Sequence, residues 1–581
     1  MFSMTSRNTN AGTPRRLWLA LALGAAAAVG LLGAPGVFRW QGSAASGTIT
    51  GTVFQDFNSN GARDTGTSIT NNGQGTIALS ADRGIQGITV TAYDGSGAAM
   101  GTATSDANGV YTLSATGTGP YRIEFSNLPA GFQPGPHMPA SSISGGGTTV
   151  QFVADGNTSN VNLSLVIPQE YCQDNPTLAT SCYVFGNQSG QDDVIVSFPY
   201  SAGTTRITGP SPFTDYDAPA HGIVARANQV GTTWGLTYAR TARALYAAAY
   251  MKKHTGFGPT GTGAIYKSDR NTNTVSLYTD INALLGANAA GANPHNTADY
   301  DRDNGNTAWD AVGKTSFGGL AISEDETKLY VMNLFSRQLM EIPLNATPTG
   351  ANIRVKAVPA SLPGCSSASD VRPFAVTWYQ NKIYTGLVCS AESTVSDQNP
   401  SGDLNQLRAY VYTVDPATLD FSAAPVFQMP LNYPRRCADS AQIGPPNCFS
   451  AAWKSWTPVY RNLGTEGRAI WPQPMLAGIG FDNGNMILGF RDRAGDQFGN
   501  ETLDNPGDNS RYYGVAAGEA LRACGNPTSG WTLENNGRCG GTGIGPQNTN
   551  QGPGGGEFYF YDGSDPFTDE VSMGGVLVLG G

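Results

Sequence analysis

Charge and histidine are scarce in this chain: 13% of its 581 residues are charged, and only four, His137, His221, His254 and His295, are histidine. Scattered through the sequence, these four argue against a histidine-rich metal centre. The formal net charge is −10, and no basic cluster follows the amino terminus, so nucleic acid is not an expected partner. A GxSxG elbow, an HExxH pair and a P-loop are all missing, and no Ser/His/Asp order reads as a triad. Gly540-Gly541-Thr542-Gly543-Ile544-Gly545 lacks the preceding strand and following helix of a nucleotide loop and reads as a flexible loop. The expectation is a protein that is not an enzyme.

Long apolar runs are also missing after the first few dozen residues. Arg15 and Arg16 precede an apolar run over 17–32, followed by Gly33, Ala34 and Gly36, the order of a secretory signal peptide. The run is shorter than the roughly 20 residues of a spanning helix, although Val37 and Phe38 extend it toward an uncleaved anchor, the one membrane attachment expected. Residues 1–45 are therefore read as signal peptide and short linker.

Glycine is abundant, at 75 residues, and Thr, Tyr and Phe are frequent, which suits short strands joined by many turns. The best helical candidate is 515–522, with its Ala, Glu and Leu. The eight cysteines fall as close neighbours: Cys172 and Cys182, Cys365 and Cys389, Cys437 and Cys448, Cys524 and Cys539. An even number at short spacing in an exported chain predicts local disulfides. No pair has CxxC spacing and none has a histidine close by, which argues against zinc.

Residues 46–168 alternate in short runs, such as Thr48-Ile49-Thr50-Gly51-Thr52-Val53-Phe54 and Tyr121-Arg122-Ile123-Glu124-Phe125, bounded by Gly, Asp and Asn. That period predicts a small antiparallel sandwich closed by strands in 148–153 and 160–166. Asp56, Asn58, Asn60 and Asp64 stand at positions 1, 3, 5 and 9 of an EF-hand-like loop, with Gly61 at position 6 and the Ala62 carbonyl at position 7. Such oxygens can converge on one Ca2+. Position 12 is Thr67, so a bidentate carboxylate must come from Asp82 or Asp106, or be missing. The alternative is an Asx-rich turn without metal.

Gly51 to Asp64, Gly84 to Asp94, Ser105 to Tyr111 and Tyr121 to Phe132 come in an order that resembles the SdrD B-like (Cna B-type) repeat of bacterial surface proteins. The resemblance implies a calcium-binding β-sandwich that acts as a stiff spacer or stalk, in a bacterial secreted or cell-surface protein. Where the repeat usually has a short acidic step, 65–81 is here a polar insertion without an acidic residue.

From about Tyr171 the pattern changes. Trp234 to Tyr238 with Leu245 to Tyr250, Phe317 to Ile322 with Leu329 to Leu334, Pro373 to Trp378 with Ile383 to Val388, and Ala477 to Phe481 with Met486 to Phe490 share one plan. Each is a strand of small and apolar residues, a polar turn and a second apolar strand, and three continue into a third strand. Units of this kind predict an irregular β-propeller over 169–581. The fold class expected is thus all-β, a sandwich followed by a propeller. The chain stops on Gly574-Gly575-Val576-Leu577-Val578-Leu579-Gly580-Gly581 just after an apolar strand, which suggests that a closing strand or anchor lies beyond it.

Asp299, Asp301, Asp303 and Asp310 occupy positions 1, 3, 5 and 12 of a second calcium-type loop, with its glycine one place late, so calcium and a solvated acidic turn are equal readings. Asp492 and Asp496, between Arg491 and Arg493, read either as an ion-pair network or as an acid and base for glycan cleavage, the network being favoured. Trp453, Trp456 and Trp471 suit core packing more than sugar stacking. Taken together, these features describe an exported structural or adhesion protein whose calcium-stiffened spacer presents a propeller to a surface protein, a glycan or neighbouring copies in an envelope layer. The alternatives are an extracellular lactonase, a glycan-active hydrolase or lyase, or a lectin-like binder.

Overall fold

Alternation in the first strand, Gly47–Gln55, sets the geometry of the amino-terminal region. Ile49 and Val53 point inward and are fully buried, as a period of two requires on a half-covered sheet. In the computed structural model the described residues are 46–56, 61–63, 68–70, 76–78, 82–137, 145–167, 175–204, 220–302, 307–439, 449–465, 467–482, 484–505, 507–539, 551–559 and 572–578. The apolar run of 17–38, the glycine run of 540–545, Asn58, Asn60, Asp64, Cys172, Asp303 and Cys448 lie outside them.

Gly47–Gln55 pairs antiparallel with Val110–Ala115 along its first half. Its second half pairs antiparallel with Arg83–Gly84 and parallel with Leu163–Val166, which in turn meets Gln133–Pro134. A second sheet runs in the order Val150–Val153, Tyr121–Ser126, Thr89–Tyr93, Ala99–Thr104. Val90, Leu113, Tyr121, Ile123, Phe125, Leu163 and Leu165 fill the space between the two sheets. Tyr111 lies edge-on to Phe125 and donates from its hydroxyl to the carbonyl of Val161 at 2.6 Å, so its buried polar end is satisfied. This is the β-sandwich expected. Within the polar insertion, Ser68–Thr70 and Thr76–Ala78 pair as a small hairpin.

The second region opens with a three-stranded sheet, Thr177–Ser181, Asp193–Pro199 and Gly222–Arg226. Four four-stranded antiparallel sheets follow, each meandering in chain order. Their first two strands are Thr233–Ala239 and Ala244–Ala249, Phe317–Ile322 and Lys328–Asn333, Val371–Tyr379 and Lys382–Cys389, and Pro474–Asp482 and Asn485–Asp492. All four first strands carry an irregularity at corresponding places: Thr233/Leu236, Phe317/Leu320, Pro373/Val376 and Leu476/Gly478. Such bulges bend and twist a strand.

Glycine at these bulges lets successive first strands approach. A Cβ on Gly235 would lie 2.4 Å from the carbonyl oxygen of Gly318, and one on Gly318 would lie 2.8 Å from that of Phe374. Among the described strands, each of these four sheets is built only from strands that follow one another in the chain, so none of them combines strands from the two ends of the region to close a ring. The core runs between the sheets instead, through Tyr250, Tyr330, Met332, Phe374, Tyr384, Leu488 and Phe490, with Trp453 and Trp456 buried against it. The described residues pack as one unit.

The helix expected over 515–522 is not formed. Residues Glu519–Asn526 are a strand paired with the second strand of the last sheet, from Met486↔Ala523 to Phe490↔Glu519. Glu519, Leu521 and Ala523 alternate inward and are fully buried. The same Ala, Glu and Leu that favour a helix in isolation therefore fit a strand once a neighbouring strand offers its hydrogen bonds, and tertiary pairing outweighs intrinsic propensity.

Candidate functional site

Two places gather the charged residues singled out above. The first is the mouth of the sandwich. Asp56 ends the first strand and is fully buried; its Oδ2 accepts hydrogen bonds from the Gly61 amide at 2.7 Å and the Ser164 hydroxyl at 2.9 Å. The Gly61 bond folds the loop back onto the carboxylate, with Gly61 at φ 76°, where a side chain would be strained. Ala62 follows, half-buried.

Asp82 immediately precedes Arg83–Gly84, the short strand that pairs with Phe54 and Gln55 at the end of the first strand. Asp82 is only 6% exposed. Asp106, the other candidate for the bidentate ligand, is exposed and closes its own turn: its Oδ1 accepts from the amides of Asn108 at 2.9 Å and Val110 at 2.8 Å.

The second place lies where the loops leave the second strands of the four-stranded sheets. There Arg491 clasps Asp496, Nε to Oδ2 at 2.6 Å and Nη2 to Oδ1 at 2.5 Å, and the Tyr250 hydroxyl adds a third bond at 2.9 Å. Asp492 accepts three backbone amides, from Gln473, Ala494 and Ala517, at 2.8 to 2.9 Å. Burial nonetheless pushes its carboxyl up to about 6. Arg493 is a strut: its guanidinium donates to the carbonyls of Val312, Thr457 and Asp310 and to the Gln473 side chain, and stacks over Trp456 at 4.5 Å. Both carboxylates named for glycan cleavage are thus interior and bonded. Trp453, Trp456 and Trp471 are likewise buried.

The acidic run around Asp299 is pulled apart. Asp299 caps its own turn through the amides of Asp301 and Arg302. Asp301 faces Arg511 at 3.4 Å and the ring of His254 at 3.8 Å. Asp310, in the short helix Thr307–Ala311, instead meets Lys314 at 2.5 Å. Of the four residues of the second calcium-type loop, Asp301 thus meets Arg511, Asp310 meets Lys314, and Asp303 lies outside the described residues. Glu392 binds both Lys314, at 2.6 Å, and Arg372, at 2.9 Å. Burial alone would raise its carboxyl, but Lys314, Arg493 and Arg372 hold it well below the usual range.

Lys252, Lys253, His254 and Asp504 are the members of this cluster that the sequence reading overlooked. His254 is fully buried, with Nδ1 3.0 Å from the Tyr300 carbonyl and Nε2 2.6 Å from Oδ1 of Asp504. Lys252 lies over the Tyr183 ring, and burial lowers its ammonium to about 8. The available signal was three consecutive basic residues placed directly after an apolar strand in a chain poor in charge.

Cys365–Cys389 and Cys524–Cys539 are disulfides, as neighbour spacing predicts. Cys437 is disulfide-bonded too. Cys182 departs from expectation: it carries a free thiol, half-buried at the end of its strand, where its amide bonds the Val194 carbonyl and Lys252 reaches its own carbonyl. Among the described residues, the one group with metal-ligand spacing, Cys365, Asp370 and Cys389, is this disulfide beside a carboxylate that accepts from Ser393.

Sandwich and site define an all-β protein that carries an SdrD B-like domain: residues 47–163 match the model of that family. Its relatives are colossins of Dictyostelium discoideum. Colossin-A is 32% identical over 414 residues, covering 68% of this chain and 3% of that protein. Colossin-C is 28% identical, covering 83% and 44%, and Colossin-D is 27% identical, covering 92% and 52%. The chain thus spans from 3% to about half the length of these relatives. They give the expected bacterial source no support. Among solved structures, a nidogen/laminin complex is matched at 9% identity and a TM-score of 0.22, over 55% of this chain and 74% of that one, too distant to carry an argument.

Proposed function

We propose that this chain is a secreted or cell-surface structural protein in which a calcium-stiffened SdrD B-like sandwich acts as a spacer beside a propeller that serves as an interaction domain. The observation that carries the calcium reading is the buried carboxylate of Asp56 at the end of the first strand, onto which the loop turns back through the Gly61 amide, with a second buried carboxylate, Asp82, just before the strand paired there. Ca2+ would draw on Asp56, Asp82 and the oxygens of Asn58, Asn60, Ala62 and Asp64, and would tie the loop to the end of the first strand. The disulfides support an oxidising exterior.

The propeller reading is supported by four meanders with matching bulges and closely approaching first strands. Its partner would be a surface protein, a glycan or another copy. Isothermal titration of the chelator-treated full chain with Ca2+ tests the proposal: one saturable site lost in Asp56→Asn is expected. Wild-type protein that takes up no Ca2+ would overturn the calcium reading.

A further inference from the structure

Three glycines of the last four-stranded sheet share an unusual environment. Gly478 and Gly480 lie on its first strand and Gly489 on its second, with Gly478 and Gly489 paired across the ladder. Glycine inside a strand weakens it and often marks where another backbone comes close. Here, the three nearest atoms to a Cβ at each of these positions belong to residues 574–578. At Gly480 they would be Val576 at 2.7 Å and Val578 at 2.9 Å; at Gly478 and Gly489, the carbonyl oxygen of Gly574 at 2.6 and 2.5 Å and a Val576 methyl at 3.0 and 2.6 Å.

Residues 572–578 cross this floor as an extended segment, with Gly574, Val576 and Val578 toward the sheet and Met573 and Leu577 outward, at 52% and 76% exposure. Among the described residues no backbone-to-backbone hydrogen bond holds the segment. Arg491 donates from Nη1 to the Met573 carbonyl at 3.0 Å while its guanidinium lies over Trp234 of the first four-stranded sheet, and a Cβ on Gly575 would lie 4.0 Å from that indole. The segment therefore runs beside both the first and the last of these sheets.

We infer that this glycine-floored face is a receptor groove for an extended Gly-x-Val-x-Val segment, filled within a chain by its own residues 574–578 and between chains by the same residues of a second copy. Among the described residues, the segment is held by the packing of Gly574, Val576 and Val578 and by one guanidinium bond rather than by a ladder, so it can leave without breaking the sheet. An identical segment from another copy restores every contact, the low-cost route by which protomers exchange elements. The inference rests on the proposed interaction role of the second region and names its partner.

The test uses two full-length variants. Val576→Asp cannot seat its own segment and leaves the groove open. In Gly480→Val, whose backbone φ is not positive, the new side chain meets the segment and fills the groove. Each alone is expected to sediment as a monomer, and an equimolar mixture is expected to give a one-to-one heterodimer. A mixture that stays monomeric while both variants keep the wild-type far-UV spectrum overturns the inference. Should Gly480→Val fail to fold, a labelled peptide of residues 572–578 decides. It should bind Val576→Asp saturably and bind wild type at least roughly tenfold more weakly, because the tethered segment competes at high effective concentration; no binding to Val576→Asp overturns the inference. Neither substitution touches the sandwich loop, so a failure here leaves the calcium titration standing, and the converse holds as well.

Discussion

Arg491 grips both oxygens of Asp496 with neither side chain more than 3% exposed. The pair joins the end of the last sheet's second strand to the turn Ala494–Gln497, and Tyr250 ties the same carboxylate to the first of the four-stranded sheets. Removing one partner leaves a buried charge without its counterion. Asp496→Ala should lower unfolding stability by about 3–5 kcal/mol, and Arg491→Met combined with Asp496→Leu should recover much of that loss. Urea denaturation of the three proteins measures it, and equal stability of the single and double variants would refute the ion-pair account.

Calcium should stabilise the folded chain by an amount that grows with the logarithm of its free concentration above the dissociation constant. At free Ca2+ about a hundredfold above its dissociation constant, the gain is about 2.7 kcal/mol, visible as a higher melting temperature than in chelator. Asp56→Asn should melt at the same temperature in both conditions. A calcium-dependent shift that survives this substitution would place the ion elsewhere.

Glu534 makes stability depend on pH. Its buried carboxyl is pushed up to about 7 by burial, against bonds from the Arg522 and Phe558 amides and the charge of Arg522. An unfolded Glu titrates near 4.3, so between roughly pH 4.3 and 7 the folded state binds the extra proton, and stability falls as pH rises through that window. The loss attributable to this group is on the order of 3 kcal/mol. Glu534→Gln should show a smaller drop than wild type between pH 5 and pH 7.5 in urea midpoints, and parallel slopes would refute the assignment.

Peptide mapping reads the cysteines directly. Alkylation of the unreduced, denatured protein should label Cys182 and leave Cys365, Cys389, Cys524 and Cys539 unlabelled. Replacing Cys365 and Cys389 by Ser should cost about 3 kcal/mol, the chain entropy released by opening a loop of this length. A melting temperature unchanged in the double variant would show that the bridge contributes little.

Strands with clean alternation are legible in the sequence. Ile49, Val53, Tyr111 and Phe125 each follow from a period of two, and the paired apolar strands of the second region follow from their repetition. Residues Glu519–Asn526 were not legible, because their composition favours a helix and their partner strand, Asn485–Asp492, lies across a long insertion. The charged cluster was half legible: Arg491 and Asp496 are close in sequence, whereas His254 and Asp504 are separated by 250 residues and meet only in the fold.

Read without its fold, the chain already specifies the all-β class, the sandwich with its SdrD B-like order, and the local disulfides Cys365–Cys389 and Cys524–Cys539. These depend on side-chain period, turn residues and short chain separation, all properties of neighbours along the chain. The folded chain settles what has no local pattern: His254 meets Asp504, Asp301 meets Arg511, Cys182 stays a thiol, and Gly478, Gly480 and Gly489 form a floor for residues 574–578. Each depends on which distant strand arrives alongside, and therefore on the desolvation and pairing of groups that share no local pattern.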